Sequence, residues 1–168
     1  MPDQEERETS RRAKRQLKRG RAPSSAAGEF VREEMHHIRR GKHGARSTKQ
    51  AIAIGLSKAR RAGVPLKPRG GSRKTRQSAQ RAYEVGQHER KRRSHSRARS
   101  RAISRALRRE PHRAASRTAL GSQARAVSRR RGPAARSAAA RKAVQTKGVA
   151  GRRAAARKAA RTRARHAS

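Results

Sequence analysis

The amino-acid sequence predicts a mainly α-helical chain with extensive disorder, in which a small helical hairpin and isolated basic Ala/Arg-rich helices form without a large core. Three observations support this fold class. The 168 residues include 50 Lys and Arg against 10 Asp and Glu, a formal net charge of +40. Apolar residues make up 31% of the chain and are mostly alanine, with Phe30 and Tyr83 as its two aromatic residues. Such a chain buries too little surface to offset an entropy cost of ~1–2 kcal/mol per residue.

Residues 1–27 are predicted to form a polar N-terminal helix followed by a linker. Asp3 and Glu6 have the D-x-x-E spacing of a helix capping box, and the arginines that follow favour the negative end of the helix dipole. Leu17 is the one large apolar residue of this helix, so we expect the helix to be frayed and solvated. The composition of residues 21–28 (Arg-Ala-Pro-Ser-Ser-Ala-Ala-Gly) is typical of a linker.

Residues 28–68 are predicted to form the hairpin. Its first helix has apolar residues at helical spacing, followed by glycines that end it: Val31, Met35, Ile38, Gly41 and Gly44. Its second helix begins at a capping box formed by Ser47 and Gln50. That helix continues through an apolar stripe and ends at Gly63, which is followed by Pro65. With ~40 residues, the hairpin is close to the lower size limit of an independent domain.

Residues 69–110 are predicted to be a basic helical segment, with one helix over about 75–93 and another over about 97–110 that Pro111 ends. Residues 111–168 are predicted to be a disordered Ala/Arg-rich cationic tail, because no acidic residue follows Glu110. The tail repeats Arg136–Val144 as Arg152–Ala160, with seven of nine positions identical at a period of sixteen residues. We expect its helical stretches to be interrupted at four glycines: Gly121, Gly132, Gly148 and Gly151.

The segment 46–63, read as Arg-Ser-Thr-Lys-Gln-Ala-Ile-Ala-Ile-Gly-Leu-Ser-Lys-Ala-Arg-Arg-Ala-Gly, resembles a family of short, basic, mostly uncharacterised bacterial proteins. These proteins share an S-x-K-Q-A-I-A-I-[GA]-L-S-x-A core and are often described as DNA-binding. The resemblance covers residues ~28–68 and implies a DNA-binding role for the hairpin. Separately, the tail is similar in composition to the linker-histone-type tails of bacterial nucleoid proteins.

The excess of positive charge indicates a polyanionic partner. Binding of single strands commonly uses aromatic stacking, for which Tyr83 is the one available residue, and the chain has no Asn to read adenine. The sequence therefore predicts a nonspecific duplex-DNA-binding, nucleoid-associated, histone-like protein that acts through phosphate contacts. The alternative is an RNA- or ribosome-associated basic protein. A protein of anionic membrane surfaces or a scaffold is a weaker alternative, because alanine supplies little apolar face.

The predicted phosphate-binding cations lie on the second hairpin helix and along the tail. They are Lys49, Lys58, Arg60, Arg61, Arg129, Arg130, Arg131, Arg136, Arg141, Lys142, Arg152, Arg153, Arg157, Lys158, Arg161 and Arg165. The hairpin is equally suited to dimerise two copies of the chain, so a homodimer is a second predicted interaction.

No catalytic site, cofactor or metal site is predicted. His36, His37 and His43 cluster in the sequence, but there is no cysteine and the neighbouring glutamates are on the same helix, so we expect these histidines to be solvated or phosphate-facing. The absence of cysteine suits a reducing compartment. No apolar run approaches the ~18 residues of a membrane-spanning helix. These features predict a cytoplasmic protein located at the nucleoid and not bound to membrane.

Overall fold

The computed structural model describes residues 4–90 and 96–167, with side chains described as far as residue 165. These residues form seven α-helices and one short 3₁₀ helix, His112–Ala115, and contain no strand. The helices are α1 Gln4–Lys18, α2 Pro23–Arg39, α3 Thr48–Arg61, α4 Arg73–Gly86, α5 Arg97–Arg109, α6 Arg117–Arg130 and α7 Gly132–Ala167. The chain divides into two compact units, and the boundary lies after Gln123, inside α6.

The prediction of extensive disorder is wrong, since helices occupy most of the described chain, including the tail. Alanine explains much of the error. It has the highest helix propensity of any residue, so a tail of Ala and Arg has strong local preference for a helix even without a core. Alanine also allows helices to approach closely, and the first unit is built largely on it.

The N-terminal helix α1 packs against α2 and is not the solvated helix that its sequence predicted. Thr9 and Ala13 are completely or almost completely buried, and Leu17 packs on the same apolar cluster. The cluster also contains four residues of α2 and α3 and one that follows α3: Ala26, Ala27, Phe30, Ala59 and Val64. The proposed cap residue Asp3 lies outside the described residues.

Helix α2 begins at Pro23, so most of the predicted linker is its first two turns. Proline suits this position because the first turn of a helix needs no backbone N–H. The helix ends as predicted near Gly41, which has a φ of 73°. The Gly41 N–H donates to the Ile38 carbonyl (3.1 Å) and the Lys42 N–H to the His37 carbonyl (3.0 Å), the paired hydrogen bonds of a Schellman motif.

Both predicted ends of α3 are confirmed. The Ser47 hydroxyl accepts a hydrogen bond from the Gln50 N–H at 3.2 Å. The Gln50 side chain accepts from the Arg46 N–H at 2.8 Å, one residue before the cap, so the capping box is shifted but reciprocal. At the other end Gly63 has a φ of 88°, and the Val64 N–H donates to the Ala59 carbonyl at 3.1 Å.

Close helix contacts depend on two glycines. A Cβ added at Gly55 in α3 would lie 2.7 Å from the Cα of Val31 in α2, and one at Gly86 in α4 would overlap the carbonyl oxygen of Arg60. The 3₁₀ helix joins the same unit, because Ala114 and Ala115 are buried against α2 and α3. The Thr48 hydroxyl donates to the Ala114 carbonyl at 2.7 Å.

The remaining helices are more exposed. Helix α5 ends just before Pro111 as predicted and has no buried residue. The predicted interruptions at Gly121 and Gly151 are wrong, because α6 and α7 continue through them. Gly132 separates α6 from α7 with a φ of 74°, and Gly148 bends α7 with a φ of 61° and a ψ of −174°, both as predicted. Within residues 4–90 and 96–167, no helix combines the length and the apolar character needed to cross a bilayer.

Candidate nucleic-acid interface

The second unit, residues 124–168, contains 15 Lys and Arg and no acidic residue. All the α7 cations predicted to bind phosphate are exposed: Arg136, Arg141, Lys142, Arg152, Arg153, Arg157, Lys158, Arg161 and Arg165. The helix has almost no amphipathic character, since alanines and cations are distributed around its whole circumference. Its surface is therefore positively charged on every side.

Gly148 divides α7 into two helical stretches, and each stretch contains one copy of the nine-residue segment that repeats at a period of sixteen. Its backbone angles lie in a region that is essentially restricted to glycine. Arg152 Nε donates to the Gly148 carbonyl at 3.2 Å, immediately after the bend. The structure thus presents the two copies, Arg136–Val144 and Arg152–Ala160, as separate cationic helical stretches.

The second stretch carries four arginines at successive i+4 positions: Arg153, Arg157, Arg161 and Arg165. With a rise of 1.5 Å per residue, their α-carbons follow one helix face about 6 Å apart. Each like-charged i, i+4 pair destabilises a free helix by ~0.2–0.5 kcal/mol, a cost that a neighbouring polyanion removes. Arg129 and Arg130 occupy the last turn of α6, and Arg131 follows them, all three exposed.

The hairpin cations occupy very different environments. Lys49 and Arg61 are exposed, and Arg61 Nε donates to the Ser57 carbonyl at 3.3 Å. Lys58 was predicted to face phosphate, but its Nζ lies 3.0 Å from Glu34 Oε2 and 3.8 Å from Glu6 Oε1. Lys58 therefore neutralises glutamates inside the unit.

Arg60 is also turned inward. Its Nε donates to the Leu66 carbonyl at 3.0 Å, so it holds the segment after α3 against the helix. Burial lowers the pKa of Arg60, which is the expected effect of removing a cation from water. Lys58 and Arg60 were both predicted to bind phosphate, and the structure places neither on an open surface.

Ion pairs concentrate where α1 meets α2. Glu29 accepts from Arg32 (2.9 Å) and lies 3.4 Å from Arg12 Nε. Glu5 contacts Lys42 Nζ at 2.5 Å and Arg40 at 3.2 Å. The hydrogen bonds from Lys42 and then from His37 lower the pKa of Glu5 from 4.5 to about 2. The acids of α1 and α2 thus pair with individual cations of the first unit, whereas the second unit has no acidic residue to do so.

Two of the three clustered histidines contradict the prediction that they are solvated or phosphate-facing. His37 is buried and His43 is partly buried, while His36 is exposed. His37 Nε2 lies 2.8 Å from Glu5 Oε2, and His43 Nε2 lies 3.3 Å from Glu34 Oε1.

The sequence contains a signal that would have indicated buried polar groups here. Phe30, Glu34 and Ile38 repeat at i+4, which places a glutamate within the apolar stripe of α2.

Comparison with known protein families gives a match over part of the chain. Residues 23–70 match the model of a family of unknown function (DUF6496). The matched segment covers α2 and α3 and extends to the glycine at position 70. Comparisons with curated proteins and with solved structures give no match.

Proposed function

We propose that this chain binds duplex DNA nonspecifically through its phosphate backbone, with α7 as the main contact surface, and acts as a nucleoid-associated, histone-like protein. The observation that carries the proposal is the charge of residues 124–168, where 15 cations occur without an acidic residue. A helix with this surface has no internal means of neutralising its charge. Duplex DNA supplies one negative charge per ~1.7 Å of its axis and is a dense partner for it.

The physical driving force is the release of condensed counterions. Each phosphate neutralised by Lys or Arg contributes about −0.9 to the slope of log K against log salt concentration on duplex DNA. The stretch after Gly148 has seven cations in positions 149–167. If all seven contacted phosphates, the slope would be about −6, typical of strong nonspecific binding.

Two features favour duplex phosphates over bases. Phe30 is buried and Tyr83 is partly buried, so the chain offers no exposed aromatic side chain on which bases could stack. The α7 cations lie on all sides of the helix, which suits contact with a continuous array of phosphates. Recognition by α7 therefore depends on charge density and depends little on base identity.

The character of α7 disfavours an anionic membrane as the partner. Helices that lie in the membrane interface need one broad apolar face, and α7 has almost no segregation of apolar from charged residues. Its apolar residues are mainly alanine. Insertion of this helix into lipid would bury many of its cations along with its few larger apolar side chains.

The test is a titration of labelled 30-base-pair duplex DNA with the full chain at several salt concentrations. We compare the wild type with a variant in which the arginines at 153, 157, 161 and 165 are replaced by Gln. If all four contact phosphates, the salt slope becomes shallower by about 3.6. The matched control replaces four exposed cations of α1 by Gln: Arg11, Lys14, Arg15 and Lys18.

Both variants lose the same formal charge, so net charge alone predicts equal weakening. A larger loss of slope in the α7 variant supports α7 as the contact surface, and equal losses would contradict it. Duplex RNA and single-stranded DNA of the same length serve as competitors. Tighter binding of duplex RNA at equal salt would overturn the preference for DNA and favour the RNA-associated alternative.

A further inference from the structure

Apart from the cations of α7, the first unit contains a cluster of side chains that could hold a metal ion. Glu34, His37 and His43 each bring one possible ligand atom to within 4.8 Å of the other two. Glu34 has a side chain that is completely buried, and those of His37 and His43 are 6% and 19% exposed. Glu34 and His37 come from α2, and His43 comes from the segment that connects α2 to α3.

His43 occupies a position that a neutral imidazole cannot satisfy. Its Nδ1 lies 3.1 Å from the carbonyl oxygen of Gly44, and its Nε2 lies 3.3 Å from Glu34 Oε1. Both neighbours are hydrogen-bond acceptors, whereas neutral imidazole has a single N–H. When Nδ1–H donates to Gly44, the lone pair of Nε2 faces a carboxylate oxygen. A cation between those two atoms, or a second proton on the ring, resolves the conflict.

We propose that Glu34, His37 and His43 bind one divalent transition-metal ion, for which Zn²⁺ is the representative. Two His and one Glu form a ligand set that zinc accepts, with water in the fourth position. Ligand atoms about 2.1 Å from a tetrahedral ion are about 3.4 Å apart, and the Nε2–Oε1 separation of 3.3 Å agrees with this edge. Both oxygens of Glu34 are buried and accept no hydrogen bond, so Oε1 is available as a ligand.

Each of the three ligands has a partner that orients it. Lys58 Nζ lies 3.0 Å from Oε2 of Glu34, and Oε1 is the oxygen proposed to bind the ion. When His43 carries its proton on Nδ1, the Gly44 carbonyl accepts a hydrogen bond from it and the Nε2 lone pair faces the ion. Glu5 Oε2 lies 2.8 Å from His37 Nε2 and accepts a hydrogen bond from it when the neutral ring carries its proton there, which leaves the lone pair on Nδ1. Metal-binding histidines and carboxylates usually have such outer partners.

Local charge and access are compatible with a cation even though the whole chain is strongly positive. Glu5, Glu33 and Glu34 surround His37, with Glu33 Oε1 3.9 Å from its Nε2. A solvent-open cleft of about 370 Å³ between α1 and α2 has Glu5, Glu33 and His37 in its wall. The cleft therefore brings solvent to the His37 side of the cluster, whereas Glu34 and His43 lie outside its wall.

The proposed role of the ion is structural. It would join α2 to the segment before α3, while the outer partners Glu5 and Lys58 connect the same site to α1 and α3. Binding of an ion to the folded chain raises its stability by mass action. The site is independent of the proposed DNA-binding helix, so either can fail without the other.

The test measures Zn²⁺ binding to the untagged full chain in competition with a chromogenic chelator. We expect one Zn²⁺ per chain, an increase of several degrees in melting temperature, and at least a tenfold loss of affinity in His43→Ala and in Glu34→Gln. His36→Ala is the matched control, because His36 is an exposed histidine of the same helix. We expect this variant to keep wild-type affinity.

The wild type alone provides a second measurement that does not depend on the variants folding. Co²⁺ in place of Zn²⁺ should give the intense visible absorption of a tetrahedral site, reversed by stoichiometric Zn²⁺. Absence of stoichiometric Zn²⁺ binding, or of this absorption, overturns the proposal. Unchanged affinity in both ligand variants while His36→Ala weakens binding would equally overturn it.

Discussion

Lys58 Nζ lies 3.0 Å from Oε2 of Glu34, whose side chain is completely buried. The lysine side chain is 23% exposed, so most of it is covered and its ammonium group reaches into the unit. The Glu34 oxygens accept no hydrogen bond. The contact with Lys58 is therefore a short ion pair that lacks the geometry of a hydrogen bond. This contact links α3 to α2 through charge in a core that otherwise consists mainly of alanine.

Removal of this lysine should destabilise the first unit. Lys58→Ala leaves the Glu34 carboxylate buried without its nearest cation, and breaking a buried ion pair costs about 3 kcal/mol at the lower end of the usual range. Lys49→Ala is the control, since Lys49 is an exposed lysine of the same helix and should change stability by less than about 0.5 kcal/mol. Urea unfolding followed by circular dichroism measures both. Similar unfolding free energies for the two variants would contradict the role of Lys58.

The local signals in the sequence predicted α3 correctly at both ends. Ser47 and Gln50 specify its start and Gly63 its end, because capping and a positive φ depend on residues only a few positions apart. Gly148 was predictable for the same reason: the bend depends on one residue with backbone freedom that other residues lack.

The packing of α1 and the inward direction of Lys58 could not be predicted in the same way. Alanine fits both a buried and an exposed helix face. The i+4 repeat of Thr9, Ala13 and Leu17 was therefore only a weak apolar signal in the sequence of α1, although Thr9 and Ala13 are buried. Whether Lys58 faces solvent or Glu34 depends on which helix packs beside α3, and this relationship is absent from any short window of sequence.

Glycine-to-alanine substitutions at two helical positions should have opposite effects. A Cβ at Gly55 would lie 2.7 Å from Val31 Cα, so Gly55→Ala forces α2 and α3 apart and costs about 1–3 kcal/mol. A Cβ at Gly28 in α2 would meet nothing within 4 Å, so Gly28→Ala should gain up to about 1 kcal/mol from helix propensity. Urea midpoints test the signs. A stabilised Gly55→Ala would mean that α2 and α3 do not approach as closely as the structure shows.

The ion pairs of Glu5 predict a stability that declines in acid. Because its pKa is lowered from 4.5 to about 2, Glu5 binds fewer protons in the folded chain than in the unfolded chain between these values. Its contribution is therefore complete above about pH 5 and is lost as the pH falls towards 2. The difference in unfolding free energy between the wild type and Glu5→Gln should shrink over this window.

Glu8→Gln is the control for this pH dependence. Glu8 is an exposed residue of α1 whose contact with Arg12 is long, at 3.9 Å. Its removal should change stability by less than about 1 kcal/mol, as expected of a surface pair. If the Glu5→Gln difference stayed constant from pH 7 to pH 2.5, the contacts with Lys42 and His37 would not act as the structure indicates.

The bend in α7 depends on Gly148 alone and should disappear when that residue is replaced. Its φ of 61° and ψ of −174° are inaccessible to alanine without strain, and a Cβ there would meet nothing within 4 Å, so no packing contact opposes straightening. Spin labels on cysteines introduced at Ser137 and Ala160 can measure the change, because the chain has no native cysteine. In Gly148→Ala the labelled backbone positions should be about 35 Å apart, the span of 23 residues of straight helix.

The wild type should give a distance different from this value. Gly151→Ala is the control and should match the wild type, because Gly151 is already helical. A wild-type distance already equal to that of Gly148→Ala would show that Gly148 does not bend the helix in solution.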